Sequence, residues 1–85
     1  MQKEFTIANP LGIHSRPAGD LMKKAKTFPC EVSLIKNDKR VNGKSIVGVL
    51  ALEMRCGDKV TLVTNGEREQ EAMNEIGFML ESILE

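Results

Sequence analysis

Apolar residues recur along this chain with two periods, and the switches between them outline its elements. Residues Gln2 to Ala8 alternate, with Phe5 and Ile7 on one face and Glu4 and Thr6 on the other, which predicts a half-buried strand. Asn9, Pro10 and Gly12 break the alternation and mark a loop. From Ser15–Pro17 onward the period becomes helical: Ala18, Leu21, Met22, Ala25 and Phe28 form one stripe, and Pro29 stops it. Lys23, Lys24 and Lys26 sit near the end of this helix, where positive charge suits the dipole.

Glu31 to Lys36 returns to strand spacing, with Val32 and Leu34 on one face. Asn37-Asp38 forms a tight turn, and Lys39 to Val41 runs back as a short strand. Asn42-Gly43 is a second turn. The stretch Ile46 to Leu52 carries strand-favouring residues, but Ser45 is a good N-cap and Gly57 a terminator downstream, so a short helix is expected. Lys59 to Thr64 is a strand with Val60 and Leu62 on one face, closed by Asn65-Gly66. A final helix is predicted from about Arg68 to Leu84, with Ala72, Ile76, Met79, Leu80 and Ile83 as its stripe and Glu67, Glu69 and Glu71 at its amino end. The order is β-α-β-β-α-β-α. Amphipathic strands of this kind suit an α+β open-faced sandwich, a four-stranded antiparallel sheet with three helices on one face.

Composition narrows the function. With 85 residues the chain makes a single domain, 1–85. Twelve basic residues balance twelve acidic ones, and there is no Trp or Tyr, so neither the charge nor the stacking platform of a nucleic-acid binder is present. Cys30 and Cys56 form no CxxC pair and the chain has a single His, which argues against a zinc site, and no metal is expected; a disulfide between them is formally possible, but with nothing marking the chain as secreted they read as reduced thiols. Residues Met1 to Ala8 do not read as a signal peptide. Ile46 to Leu52 falls far short of the ~20 residues of a membrane span. Cytoplasmic location is the expectation.

The chemistry concentrates in Gly12-Ile13-His14-Ser15-Arg16-Pro17-Ala18. His14 lies at a loop-to-helix junction, where backbone N–H groups lack helical partners and the positive dipole end attracts anions such as phosphate. Pro17 loses no helical bond in a first turn, although it biases Arg16 away from helical geometry and leaves the start open by a residue or two. Arg16 adds a planar fork suited to phosphate oxygens. Gly12 permits an unusual backbone angle that would leave the imidazole exposed. A neutral imidazole is a competent nucleophile. From the residues alone, two readings stand: a phosphoryl-accepting histidine, or a surface histidine that merely caps a helix.

Residues 12–18 resemble the active-site signature of the HPr family of histidine phosphocarriers. Asn42-Gly43-Lys44-Ser45-Ile46-Val47-Gly48-Val49-Leu50 resembles that family's second signature, around a regulatory serine. The spacing of the two, the length and the element order agree with it. The resemblance implies a non-enzymatic carrier without cofactor. His14 would accept a phosphoryl group on Nδ1 from Enzyme I and donate it to the IIA component of a sugar permease. Arg16, with the first-turn positions Ser15 and Pro17, would hold the phosphate. Ser45 matches the serine phosphorylated by HPr kinase/phosphorylase, and equally a plain N-cap. Ile46, Val47 and Leu50 would contribute to partner docking, with Val49 and Leu52 inward. A monomer is expected. Two alternatives remain: a nitrogen-branch paralogue, and a purely regulatory module in which phosphorylated Ser45 recruits a transcription regulator. Asp20 departs from the neutral or basic residue of many relatives. Four residues after Arg16, it could pair with that arginine or stand as a solvated carboxylate.

Overall fold

In a computed structural model describing residues 1–82, the elements are β1 (Gln2–Thr6), α1 (Ser15–Lys26), β2 (Glu31–Lys36), β3 (Lys39–Asn42), α2 (Ile46–Ala51), β4 (Lys59–Asn65) and α3 (Glu69–Leu80). The sheet order is β1-β4-β2-β3, and every pair is antiparallel. Phe5 opposes Val60, Leu34 opposes both Leu62 and Val41, and Val32 opposes Thr64. Because side chains alternate along a strand, this register puts Phe5, Val60, Leu62, Val32 and Leu34 on one face, and all of them are buried. The three helices cover that face. Leu21 and Ala25 of α1, Val49 of α2, and Ala72, Ile76 and Leu80 of α3 complete the core. Each large apolar side chain buried this way contributes about 1.5–3 kcal/mol.

Element types match the expectations, and the boundaries shift for local reasons. β1 ends at Thr6 rather than Ala8 because the next peptide turns to the segment before β4: Ile7 N–H donates to Asp58 O (2.9 Å) and Gly57 N–H to Ile7 O (2.8 Å). α1 ends at Lys26, before Pro29, with the Thr27 hydroxyl donating to Lys24 O (2.7 Å); Phe28 is buried just beyond the helix. Arg16 is helical despite preceding Pro17. α2 is a helix: its Ser45 cap outweighs the strand preference of Ile46, Val47 and Val49. α3 begins after Arg68, which is left-handed (φ 63°), so Glu69 and Glu71 occupy its first turn and Glu67 lies outside. It ends at Leu80 rather than Leu84; Ile83 and Leu84 lie outside the described residues. At buried Gly77 a Cβ would run into the Phe5 ring, so glycine lets α3 lie against β1 without displacing that ring.

A clamp fixes the segment between α2 and β4. The Lys36 ammonium meets Asp58 Oδ2 at 2.8 Å and donates to Glu53 O at 2.6 Å, while Lys39 donates to Ala51 O at 2.8 Å. Asp58 Oδ2 also accepts from Arg55 N–H (2.8 Å). The Lys36 hydrogen bond, then the Arg55 backbone bond, hold the Asp58 carboxyl below its ordinary pKa. The free thiols are Cys30, buried, and Cys56, exposed. Among the described residues, no helix is long and apolar enough to cross a membrane.

Asp58→Asn is expected to lower stability by about 1 kcal/mol at neutral pH. A carboxyl whose folded pKa is depressed stabilises above its unfolded pKa and loses that contribution as pH falls through the folded value. In urea denaturation across pH, the gap between the two proteins should therefore shrink below about pH 4. A gap that persisted at low pH would mean that the Asp58 charge does not carry the effect.

Candidate functional site

The loop between β1 and α1 is held by three devices. Buried Asn9 donates from Nδ2 to Gly12 O (2.7 Å), and its carbonyl accepts from Gly12 N–H (2.8 Å). Ile13 is buried, and its N–H donates to Met54 O (2.8 Å). Gly12 has φ +70°, and a Cβ there would stand 2.4 Å from Met54 O and 2.9 Å from Arg55 Cα. Only glycine allows residues 12 and 13 to lie this close against 54 and 55. With Ile13 turned inward, the next residue emerges at the surface.

That residue is His14. It occupies the N-cap of α1 with extended geometry (φ −85°, ψ −167°), and its carbonyl accepts the first helical bond, from Ala18 N–H (2.8 Å). Its imidazole makes no capping hydrogen bond and is exposed. The ring is therefore free for other chemistry, and the simple capping role does not describe it.

Ser15, Arg16 and Pro17 fill the first turn. Pro17 has no N–H and is buried, which leaves the Ser15 and Arg16 amides as the donors at the helix end; neither finds an acceptor among the described residues. No acidic side chain occupies this turn to compete for them. The Arg16 guanidinium is exposed and enters no ion pair among the described residues. The Arg16–Asp20 pairing is thus absent, and Asp20 is a solvated carboxylate. An arginine followed four residues later by an acid is the less favourable helical orientation. An anion at this end of α1 would meet two amide donors, the positive helix end and an exposed guanidinium, beside an imidazole.

Ser45 heads α2, which packs against α1. Its half-buried hydroxyl accepts from Gly48 N–H (3.3 Å). Val49 and Leu52 point inward as expected, and Ile46 packs partly against the core, whereas Val47 is 74% exposed and Leu50 38%. Leu11, 70% exposed and three residues before His14, was missed from the sequence. Its signal was an apolar residue stranded between Pro10 and Gly12 in a turn. No cluster of His, Cys, Asp and Glu suited to a metal ion occurs among the described residues.

Comparison with known proteins gives this geometry a family. The model for the phosphotransferase-system HPr component phosphorylation site matches residues 1–82. The chain is 38% identical over 78 residues to the phosphocarrier protein HPr of Lysinibacillus sphaericus, covering 92% of this chain and 89% of the relative. Its fold superposes on an HPr crystal structure from Bacillus anthracis with a TM-score of 0.92 at 28% identity, over 95% of this chain and 96% of that one. It also resembles the Bacillus subtilis catabolite-repression protein Crh, solved as a domain-swapped dimer (TM-score 0.78, 35% identity, 100% and 99% coverage). With a family model matched along nearly the whole sequence and relatives alike in both sequence and fold, the chain belongs to the HPr phosphocarrier family of the phosphotransferase system.

Proposed function

We propose that this protein carries a phosphoryl group on His14 between Enzyme I and a IIA component in sugar uptake. The observation that carries this reading is an exposed imidazole, without a capping bond, at the amino end of a helix whose first two amides and Arg16 guanidinium have no partner among the described residues. In the forward step, His14 Nδ1 attacks the phosphorus of phospho-Enzyme I; the new P–N bond forms as the donor's P–N bond breaks. The acceptor's histidine repeats the exchange. Little covalent chemistry is asked of the carrier itself, so its contribution is positioning and charge. Ser15 and Arg16 offer N–H donors, Arg16 its guanidinium, and Pro17 a fixed backbone angle that holds the turn. The transfers take place in the cytoplasm, and the carrier acts as a monomer.

Exposed Val47 and Leu50, with Ile46 beside them, supply an apolar docking surface on α2. Phosphorylation of Ser45 by HPr kinase/phosphorylase regulates it: about −1.5 to −2 charge at the head of α2 repels acidic partners and displaces the hydroxyl from Gly48 N–H. The likeness to Crh supports a second reading, a regulatory protein acting through Ser45 and a transcription regulator. The uncommitted His14–Arg16 pair favours the carrier. A nitrogen-branch role keeps the same chemistry and is separated from sugar uptake by which IIA protein is loaded.

Incubation with phosphoenolpyruvate and a bacterial Enzyme I, read by intact mass, should add one acid-labile phosphoryl group to the wild type and none to His14→Ala. No gain by folded wild-type protein, with Enzyme I from its own source, would refute the carrier reading. Arg16→Ala should slow loading by about tenfold or more. In the same assay, Ser45→Asp should slow loading by about tenfold while Ser45→Ala leaves it near wild type.

A further inference from the structure

We propose that Arg55 is a second phosphate-contacting arginine, which reaches the phosphoryl group on His14 from the 53–58 segment packed against the Gly12–Ile13 loop. The proposal rests on the carrier reading and extends it to a residue outside both sequence signatures.

The argument starts from the contact that fixes the loop. Ile13 N–H bonds Met54 O (2.8 Å), and Arg55 Cα would be 2.9 Å from a Cβ on Gly12. The backbone of residue 55 is thus packed against the chain two residues before His14. Two residues of extended chain span about 7 Å, a distance that a guanidinium on its three-methylene stem can cover. Arg55 is exposed, so its side chain is free to swing.

Nothing else claims that charge. Among the described residues the Arg55 guanidinium makes no hydrogen bond or ion pair. The bond to Asp58 Oδ2 comes from the Arg55 backbone N–H (2.8 Å). Asp58 does feel the Arg55 charge, but the same Oδ2 is already engaged by the Lys36 ammonium at 2.8 Å. Lys36 also ties down Glu53 O (2.6 Å), so the stem of the 53–58 segment is fixed while the tip of Arg55 is not. This is the arrangement expected of a side chain that waits for an anion: a rigid base and an unpaired, planar donor set.

The test loads His14, the only histidine, with phosphoramidate, a small-molecule phosphoryl donor that needs no partner protein. The 31P resonance of the phosphohistidine is then titrated against pH in wild type, Arg55→Ala and Arg55→Lys. A nearby cation favours the doubly charged phosphoryl group, so Arg55→Ala should raise the titration midpoint by about 0.5 pH unit, and Arg55→Lys should restore most of the shift. Because Arg55 holds Asp58 through its backbone, all three proteins keep the loop. The same midpoint in all three, or an equal displacement in the Ala and Lys variants, would overturn the proposal. Loading by Enzyme I tests the parent reading separately: if Enzyme I fails to load wild type while the 31P shift persists, the carrier role falls and the Arg55 contact stands.

Discussion

The site depends on a close approach between two loops far apart in sequence. Gly12 lies where a methyl group would collide with the Met54 carbonyl, and Ile13 N–H bonds that same oxygen. From this contact the rest follows. Ile13 is pulled into the core, His14 is turned outward, and α1 starts at the next residue, where the Ser15 and Arg16 amides find no acceptor among the described residues. The 53–58 segment that provides the carbonyl is itself anchored through Lys36 and Asp58 to the end of β2. Sheet, clamp, loop and helix end are therefore mechanically in series.

The same logic explains why so much of the fold could be read from residue order. Alternation in Val32–Leu34 and Val60–Leu62 identifies strands buried on one face, because a period of two leaves no other way to hide those side chains. Ser45 decided α2 against the strand preference of its neighbours, since a cap is a local device that needs no tertiary partner. Boundaries were less legible. β1 stops at Thr6 because Ile7 bonds Gly57 and Asp58, residues fifty positions later. α3 starts after Arg68 because that residue turns left-handed beside Gly66.

For the candidate site, the residue types and their place at a helix start were visible in the sequence, and the resemblance of two motifs made the reading specific. Whether the His14 ring caps the helix or stands free was not legible, because it depends on how the loop is pressed against Met54. Arg55 and Leu11 escaped notice for related reasons. The backbone of the first meets Gly12 only through tertiary packing, and the second is defined by exposure, which periodicity does not report for a turn.

Pro17 has one more consequence. A first turn with three free amides would wrap an anion on several sides, whereas this one lacks its third donor and lays a buried ring in its place. An anion at the helix end would meet donors from Ser15 and Arg16 and none from residue 17. Displacement at phosphorus proceeds in line, with the incoming nitrogen entering opposite the bond that breaks. On the carrier reading, a site short of one donor would leave that side of a phosphoryl group uncovered for an incoming nitrogen.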